Sequence, residues 1–384
     1  YFRIYGGVRF GGTLTIEDVW NLDVNHIAIA TGAGRPTVVE MKNNLIRGVR
    51  KASDFLMALQ LTGAVKKSSM ANLQIRLPAI VIGGGLTAID TATELMAYYP
   101  LQVEKIQERF KILSHEFGEE HIWSMFGAEE KGILKEFLVH AEAIRNERKR
   151  AEVTGELPNF ARLVRSWGGV SIAYRKNMVD SPAYRLNHEE IVKSLEEGIF
   201  FIENISPVEC VEDEYGAIKA VVFEQQKKDE KGKYRCVGEN ITLPAKSVLV
   251  AAGTTPNVIY EKEWPGSFKM DDREKFFQKF EPKWNGKAAP DLVEIKEDDT
   301  VSTKTPCVFT SYQLGDKFIS FYGDNHPIYA GNVVKAIASA KKGYPYIVRL
   351  FENEIKSLDP KNQTMRETKF KELVQRLDEG LLPH

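Results

Sequence analysis

The chain has 384 residues, 43% of them apolar, enough for two or more domains with their own cores. Its 52 Lys and Arg balance 53 Asp and Glu for a net charge of −1, so no global charge draws it to nucleic acid or to an anionic membrane. Cys210, Cys236 and Cys307 form no C-x-x-C pair, which argues against a disulfide scaffold, a redox dithiol and a cysteine-run cluster and fits a reducing compartment, with the cytoplasm as the expected location. No apolar run reaches the roughly 20 residues that span a bilayer.

The chain opens on Tyr1 and runs into Arg3-Ile4-Tyr5-Gly6-Gly7 with no preceding element, so a piece of something longer is expected. His26 to Ala30 reads as a buried strand ending in the Gly-rich loop Thr31-Gly32-Ala33-Gly34. Lys51 to Leu61 reads as helix, and Pro78 to Ile82 as the next buried strand. Gly83-Gly84-Gly85 follows at once, then a helix from about Thr87 to Met96. From Tyr99 to Trp167 charge is dense and apolar residues recur at three- and four-residue spacing, which predicts an insertion of two or three helices. The basic knot from Arg145 to Arg150 reads as a solvated helix face within it.

Val170 to Tyr174 and Ile199 to Ile202 read as strands, with a helix over Glu189 to Glu197 between them. Cys210 to Val222 predicts a hairpin turning at Glu214-Tyr215-Gly216, and Lys227 to Lys233 a second, polar turn. Ser247 to Ala252 is another buried strand, ending at Gly253-Thr254-Thr255-Pro256. Residues 258 to 305 read as irregular. Phe318 to Tyr322 predicts a strand leading to Gly323-Asp324, then a helix from about Gly331 to Lys342 and a charged helical tail. Strands alternating with helices around Gly-rich strand ends predict an α/β fold with parallel sheets.

Gly83-x-Gly85-x-x-Ala88 carries the most specific chemistry. Gly83 permits a tight strand-to-helix turn, Gly85 lets backbone approach a pyrophosphate, and Ala88 lets the helix pack close to the sheet. The helix start offers free N–H groups and a positive dipole end to phosphate. A single dinucleotide fold then expects an acid at the end of its second strand, to bind the ribose. The next strand here ends instead in Arg175-Lys176, and two cations there favour a 2′-phosphate, hence NADPH over NADH.

The run Ala79 to Ala92, with Gly83, Gly84, Gly85, Thr87, Ala88 and Asp90, resembles the nicotinamide-site signature of the glutamate synthase small (β) subunit. It is equally similar to the flavin region of dihydropyrimidine dehydrogenase. Ser171 to Lys176 looks like the family segment whose basic pair holds the NADPH 2′-phosphate, and Arg185 before Glu189-Glu190 resembles a further phosphate-contacting arginine. Ala30-Thr31-Gly32 and the strand ending at Gly253 resemble the family's two crossovers between flavin and nicotinamide domains. Gly323-Asp324 with Asn332-Val333 is similar to its closing flavin-site motif.

The resemblance implies two nested Rossmann-like dinucleotide-binding domains. The FAD domain, residues 1–36 and 256–345, is incomplete at its N-terminus; the NAD(P)H domain is 37–255, with the helical insertion at 99–168; residues 346–384 form a helical tail or linker. It implies FAD and NADPH as cofactors (NADH as the lesser option), with hydride transfer to flavin and electrons passed to a partner protein or fused domain. Asp324 would bond the ribityl chain, and the helix start at Asn332-Val333 would lie near the flavin's O2 side. Three departures stand out: the opening G-x-G-x-x-G flavin fingerprint is absent, the helical insertion is longer than the family's connection, and Phe321-Tyr322 replaces small residues before Gly323. Hydride transfer requires no protein nucleophile or metal, so no catalytic side chain and no metal site is expected. His115 and His121 near Glu119 read as solvated helix polarity, and His326 as a residue able to approach a flavin edge. The rival reading is a non-catalytic nucleotide-binding or protein-interaction module.

Overall fold

Alternate residues of Ala79–Ile82 face opposite sides of a sheet, and both sides are covered, which is why the run carries no polar residue. The computed structural model describes residues 2–286, 289–295 and 307–381. Within the stretch read as irregular, 287–288 and 296–305 lie outside the described residues, as does His384 at the end of the tail. The chain divides into two units, one running to Arg35 and resuming at Thr254, the other spanning Pro36–Gly253.

In chain order α1 (Ile16–Asn21), β1 (Ile27–Ile29) and β2 (Arg35–Pro36) come first. Then follow β3 (Val49–Lys51), α2 (Ala52–Leu61), β4 (Ala79–Ile82), α3 (Leu86–Phe117), α4 (Glu119–Ser124), α5 (Ala128–Thr154), α6 (Phe160–Ser166), β5 (Val170–Ala173) and α7 (Pro182–Glu196). Next are β6 (Phe200–Ile202), β7 (Ile205–Glu212), β8 (Ile218–Lys228), β9 (Tyr234–Pro244) and β10 (Ser247–Val250). The chain ends with β11 (Thr254–Thr255), α8 (Ile259–Glu263), β12 (Phe280–Lys283), β13 (Asp291–Glu294), β14 (Phe309–Leu314), β15 (Lys317–Phe321), α9 (Val333–Leu350), α10 (Glu352–Lys356) and α11 (Gln363–Leu381).

The Pro36–Gly253 unit is built on a parallel sheet of order β3-β10-β4-β5-β6. Ala79 and Val81 of the central β4 pack with α2, α3 and α7, whereas Ile80 and Ile82 pack with Cys210, Val221 and Phe223 of the antiparallel sheet β7-β8-β9. The helix expected to stop near Met96 runs on to Phe117, through Pro100. A proline there removes one backbone bond. Tyr98, Tyr99 and Val103, each at most 1% exposed, bury enough apolar surface to hold the helix across it. Helices α3 and α5 pack together, and the arginines of the basic knot are paired with acids: Arg148 with Glu104, Arg150 with Glu147 and Glu156. Those pairs account for the knot as helix surface.

The other unit is a sheet of order β1-β15-β14-β12-β13. Its β1 and β15 run parallel, in register from Ile27 opposite Ile319 to Ile29 opposite Phe321, and β14, β12 and β13 extend it antiparallel. The segment read as irregular thus contains the short helix α8 and the hairpin β12–β13. Ile29, Ile319 and Phe321 pack with Ile16, Trp20 and Phe277, while Phe309 and Phe318 pack with Tyr346, Ile347 and Leu350. Helix α9 runs eight residues past the expected Lys342, to Leu350. Among the described residues no helix is long and apolar enough to cross a membrane.

Candidate functional site

Strand β4 delivers Gly83, Gly84 and Gly85 to the carboxyl end of the parallel sheet, between β10 and β5. Gly83 and Gly84 are each required for a separate reason. A Cβ on Gly83 would fall 2.2 Å from the Ala251 carbonyl oxygen, and one on Gly84 would fall 2.4 Å from the Tyr174 ring. A Cβ on Gly85 would meet nothing within 4 Å, so the turn is open on that side. Gly83 N–H donates to the Ala173 carbonyl at 3.0 Å, and the Gly84 carbonyl accepts from Ala183 N–H at 3.0 Å, which fixes the turn to β5 and α7.

Gly85 is the N-cap of α3 and supplies no side-chain cap; Ala88 N–H donates to the Gly85 carbonyl at 3.0 Å, while the Leu86 and Thr87 amides are left to solvent or a ligand. Thr87 is exposed; Ala88 is fully buried against the sheet. Asp90 sits one turn along α3, where partial desolvation and then the Glu190 and Glu94 charges push its carboxyl above the ordinary range.

Strand β5 pairs directly with β4, Ala173 opposite Ile82, so Arg175 and Lys176 emerge beside the Gly-rich turn. They line an open cleft of about 530 Å³, together with Asp180, Arg185, Lys228 and Tyr234. Its lining holds five cations and one acid. Asp180 accepts from Tyr234 Oη at 2.7 Å, from Lys228 Nζ at 2.9 Å and from Arg185 at 3.2 Å. The Tyr234 bond, then Lys228, hold its carboxyl down at about 2. Arg175 is exposed and makes no ion pair among the described residues. Arg185 lies in the first turn of α7; the backbone leaves helical geometry at Asn187, and the longer stretch bearing Glu189 and Glu190 follows. All of these residues belong to the Pro36–Gly253 unit. The sequence reading missed Asp180, Lys228 and Tyr234. The one signal for the last two is that Lys228 lies within, and Tyr234 directly follows, the polar turn read over Lys227 to Lys233.

Gly253, at φ +94°, accepts from Thr37 N–H at 2.9 Å where the unit closes. In the other unit Asn325 ties Thr31 and Gly32 to the loop at Asn257. Its Oδ1 accepts from Gly32 N–H at 2.8 Å and Thr31 Oγ1 at 3.1 Å, and its Nδ2 donates to the Asn257 carbonyl at 2.7 Å. Gly323, at φ +65°, donates to Ser339 Oγ at 2.9 Å, and Asp324 Oδ1 accepts from Gly331 N–H at 2.9 Å. Asn332 caps α9 by accepting from Lys335 N–H, and Val333 is exposed at the helix start.

His326 differs from expectation: it is fully buried and stacked on Phe321 at 4.7 Å. Its Nε2–H donates to the Cys307 carbonyl at 3.0 Å and its Nδ1 accepts from Ile328 N–H at 3.3 Å, so both nitrogens are engaged within the loop. Burial lowers its pKa to about 4. His115 and His121 share no metal-holding group of three ligands among the described residues.

No family model matches the chain. It is 32% identical over 357 residues to an uncharacterized protein of Rickettsia prowazekii (strain Madrid E), a match covering 92% of this chain and 41% of that one. The chain therefore spans about two-fifths of the length of this relative. Among solved structures, Mycobacterium tuberculosis FprA in complex with NADPH superposes with a TM-score of 0.51 at 12% identity, over 98% of this chain and 73% of that one. A second FprA structure, described as revealing a covalent modification of NADP+, matches with a TM-score of 0.50 at 12% identity, over 94% of this chain and 72% of that one. At such identity the likeness is one of fold: an α/β protein with Rossmann-like dinucleotide-binding domains.

Proposed function

We propose that the chain is an NAD(P)H-dependent flavin oxidoreductase module in which Pro36–Gly253 binds NADPH and the other unit contributes the FAD site. The observation that carries this reading is the pairing of an open Gly85 turn on β4 with a cation-rich cleft at the end of the neighbouring strand β5. A dinucleotide presents charge at both places, the pyrophosphate at the turn and a 2′-phosphate in the cleft. FprA, solved with NADPH, supports the choice of ligand on this fold. When bound, the two cofactors supply the hydride chemistry. The chain's part is placement: amides at the α3 start for pyrophosphate, Arg175, Lys176 and Arg185 for the adenosine phosphate, and the Gly32, Gly323–Asp324 and Asn332–Val333 loops around the flavin. Electrons leave to a partner protein or a neighbouring domain. Within this class the order and spacing of the motifs favour the glutamate synthase small-subunit type.

The test is the NADPH-to-NADH affinity ratio. Arg175→Ala is expected to lower NADPH affinity roughly tenfold, the loss of one charged hydrogen bond, and to leave NADH affinity within about twofold. An unchanged ratio in a folded variant removes Arg175 from the phosphate site. A yellow chain after FAD reconstitution supports the redox reading; NADPH binding without flavin uptake leaves the nucleotide-binding module instead.

A further inference from the structure

The hairpin β8–β9 belongs to none of the family motifs, yet its end lines the same cleft. Lys228 and Tyr234 stand directly opposite each other across the two strands. Lys228 Nζ lies 5.6 Å from the centre of the Tyr234 ring, and Lys176 Nζ lies 5.9 Å from it. Tyr234 Oη donates to Asp180 and accepts from Asn177 N–H at 3.0 Å, so the hairpin end is fastened to the loop after β5 at two points. Asn204 adds a third tie, its N–H donating to the Lys176 carbonyl and its carbonyl accepting from Gln226 N–H at 2.7 Å.

Resting on the reading of this cleft as the adenosine-phosphate end of NADPH, we propose that the hairpin is a third arm of that site. Lys228 contacts the 2′-phosphate, and Asp180 and Tyr234 are positioning residues that hold Lys228 and Arg185 toward it. An ammonium has three donors and a guanidinium five. Asp180 engages one bond from each, so both cations retain donors for a phosphate while Asp180 keeps its own. The single acid leaves the cleft with excess positive charge. Phosphate is thereby held from three chain segments: the β5 end, the α7 turn and the hairpin. Preference for a 2′-phosphate then depends on the hairpin as well as on Arg175-Lys176.

Calorimetric titration of the full 384-residue chain with adenosine 2′,5′-bisphosphate and with 5′-AMP separates the phosphate contribution from the adenosine contribution. Lys228→Met is expected to weaken the bisphosphate roughly tenfold and 5′-AMP by less than about twofold, with Lys228→Arg restoring most of the loss. Tyr234→Phe is expected to weaken only the bisphosphate, by roughly threefold, and to flatten its salt dependence. If wild type prefers the bisphosphate and folded Lys228→Met keeps that preference intact, the hairpin arm is wrong and the cleft assignment stands. If wild type does not distinguish the two probes, the cleft assignment itself falls.

Discussion

Gly84 and Gly85 are adjacent in sequence and opposite in what they tolerate. Gly84 is closed off by the Tyr174 ring, whereas the space beside Gly85 is open. The two substitutions therefore separate folding from binding. Gly84→Ala forces the ring or the turn to move and is expected to cost about 2 kcal/mol of stability, in the range of core overpacking, read as a lower urea midpoint. Gly85→Ala, at φ −94° and ψ 174°, suits any residue. It is expected to leave the midpoint unchanged and to weaken NADPH at least tenfold by occupying the pyrophosphate's place. A Gly85→Ala variant that binds NADPH as wild type does would place the pyrophosphate elsewhere. The turn was legible in the sequence because strand, glycines and helix start are contiguous. The Tyr174 contact was not, since it arises only when β5, some 90 residues on, pairs with β4.

At the scale of elements, the sequence located most strands and helices but not their reach. Helix α3, expected to end near Met96, runs on through Pro100 to Phe117, where packing on α5 holds it together. The hairpin was visible as turn chemistry, but the delivery of Lys228 and Tyr234 to the Arg175 cleft depends on cross-strand register. One half-buried acid on α5 holds two cations that flank the sheet strands. Glu136 accepts from Arg76 at 3.0 Å and from Lys246 at 2.6 Å, next to the start of β10. Burial pushes its carboxyl up; the Arg76 and Lys246 bonds outweigh this, and the net pKa lies below the ordinary 4.5. Because the folded value lies below the unfolded one, the unfolded chain takes up the proton first as pH falls. The stabilisation is present above 4.5 and is lost as pH drops through the lower folded value. Glu136→Gln is thus expected to cost about 2 kcal/mol near neutrality, with the gap to wild type narrowing in acid. Urea midpoints of both proteins across that window check it, and a gap independent of pH would show that the charge contributes nothing.

Across the molecule, the four buried apolar clusters respect the division of the chain. Two draw only on residues between Met41 and Ala251, and two only on residues before Arg35 or after Thr254. The two units differ in how they depend on the chain. The outer sheet needs both of its segments, because β1 pairs with β15 across nearly 300 residues. The inserted unit is contiguous, and its ends already meet where Thr37 N–H donates to the Gly253 carbonyl. A contiguous segment with its own core and adjacent ends meets the conditions for independent folding. Residues 36–253 expressed alone are therefore expected to unfold cooperatively in urea and to bind NADPH within about threefold of the full chain, since the Gly85 turn and the Arg175 cleft both lie inside. Cooperative unfolding with NADPH affinity reduced more than about tenfold would mean that residues outside 36–253 complete the nucleotide site, and the assignment of that site to the inserted unit alone would have to be abandoned.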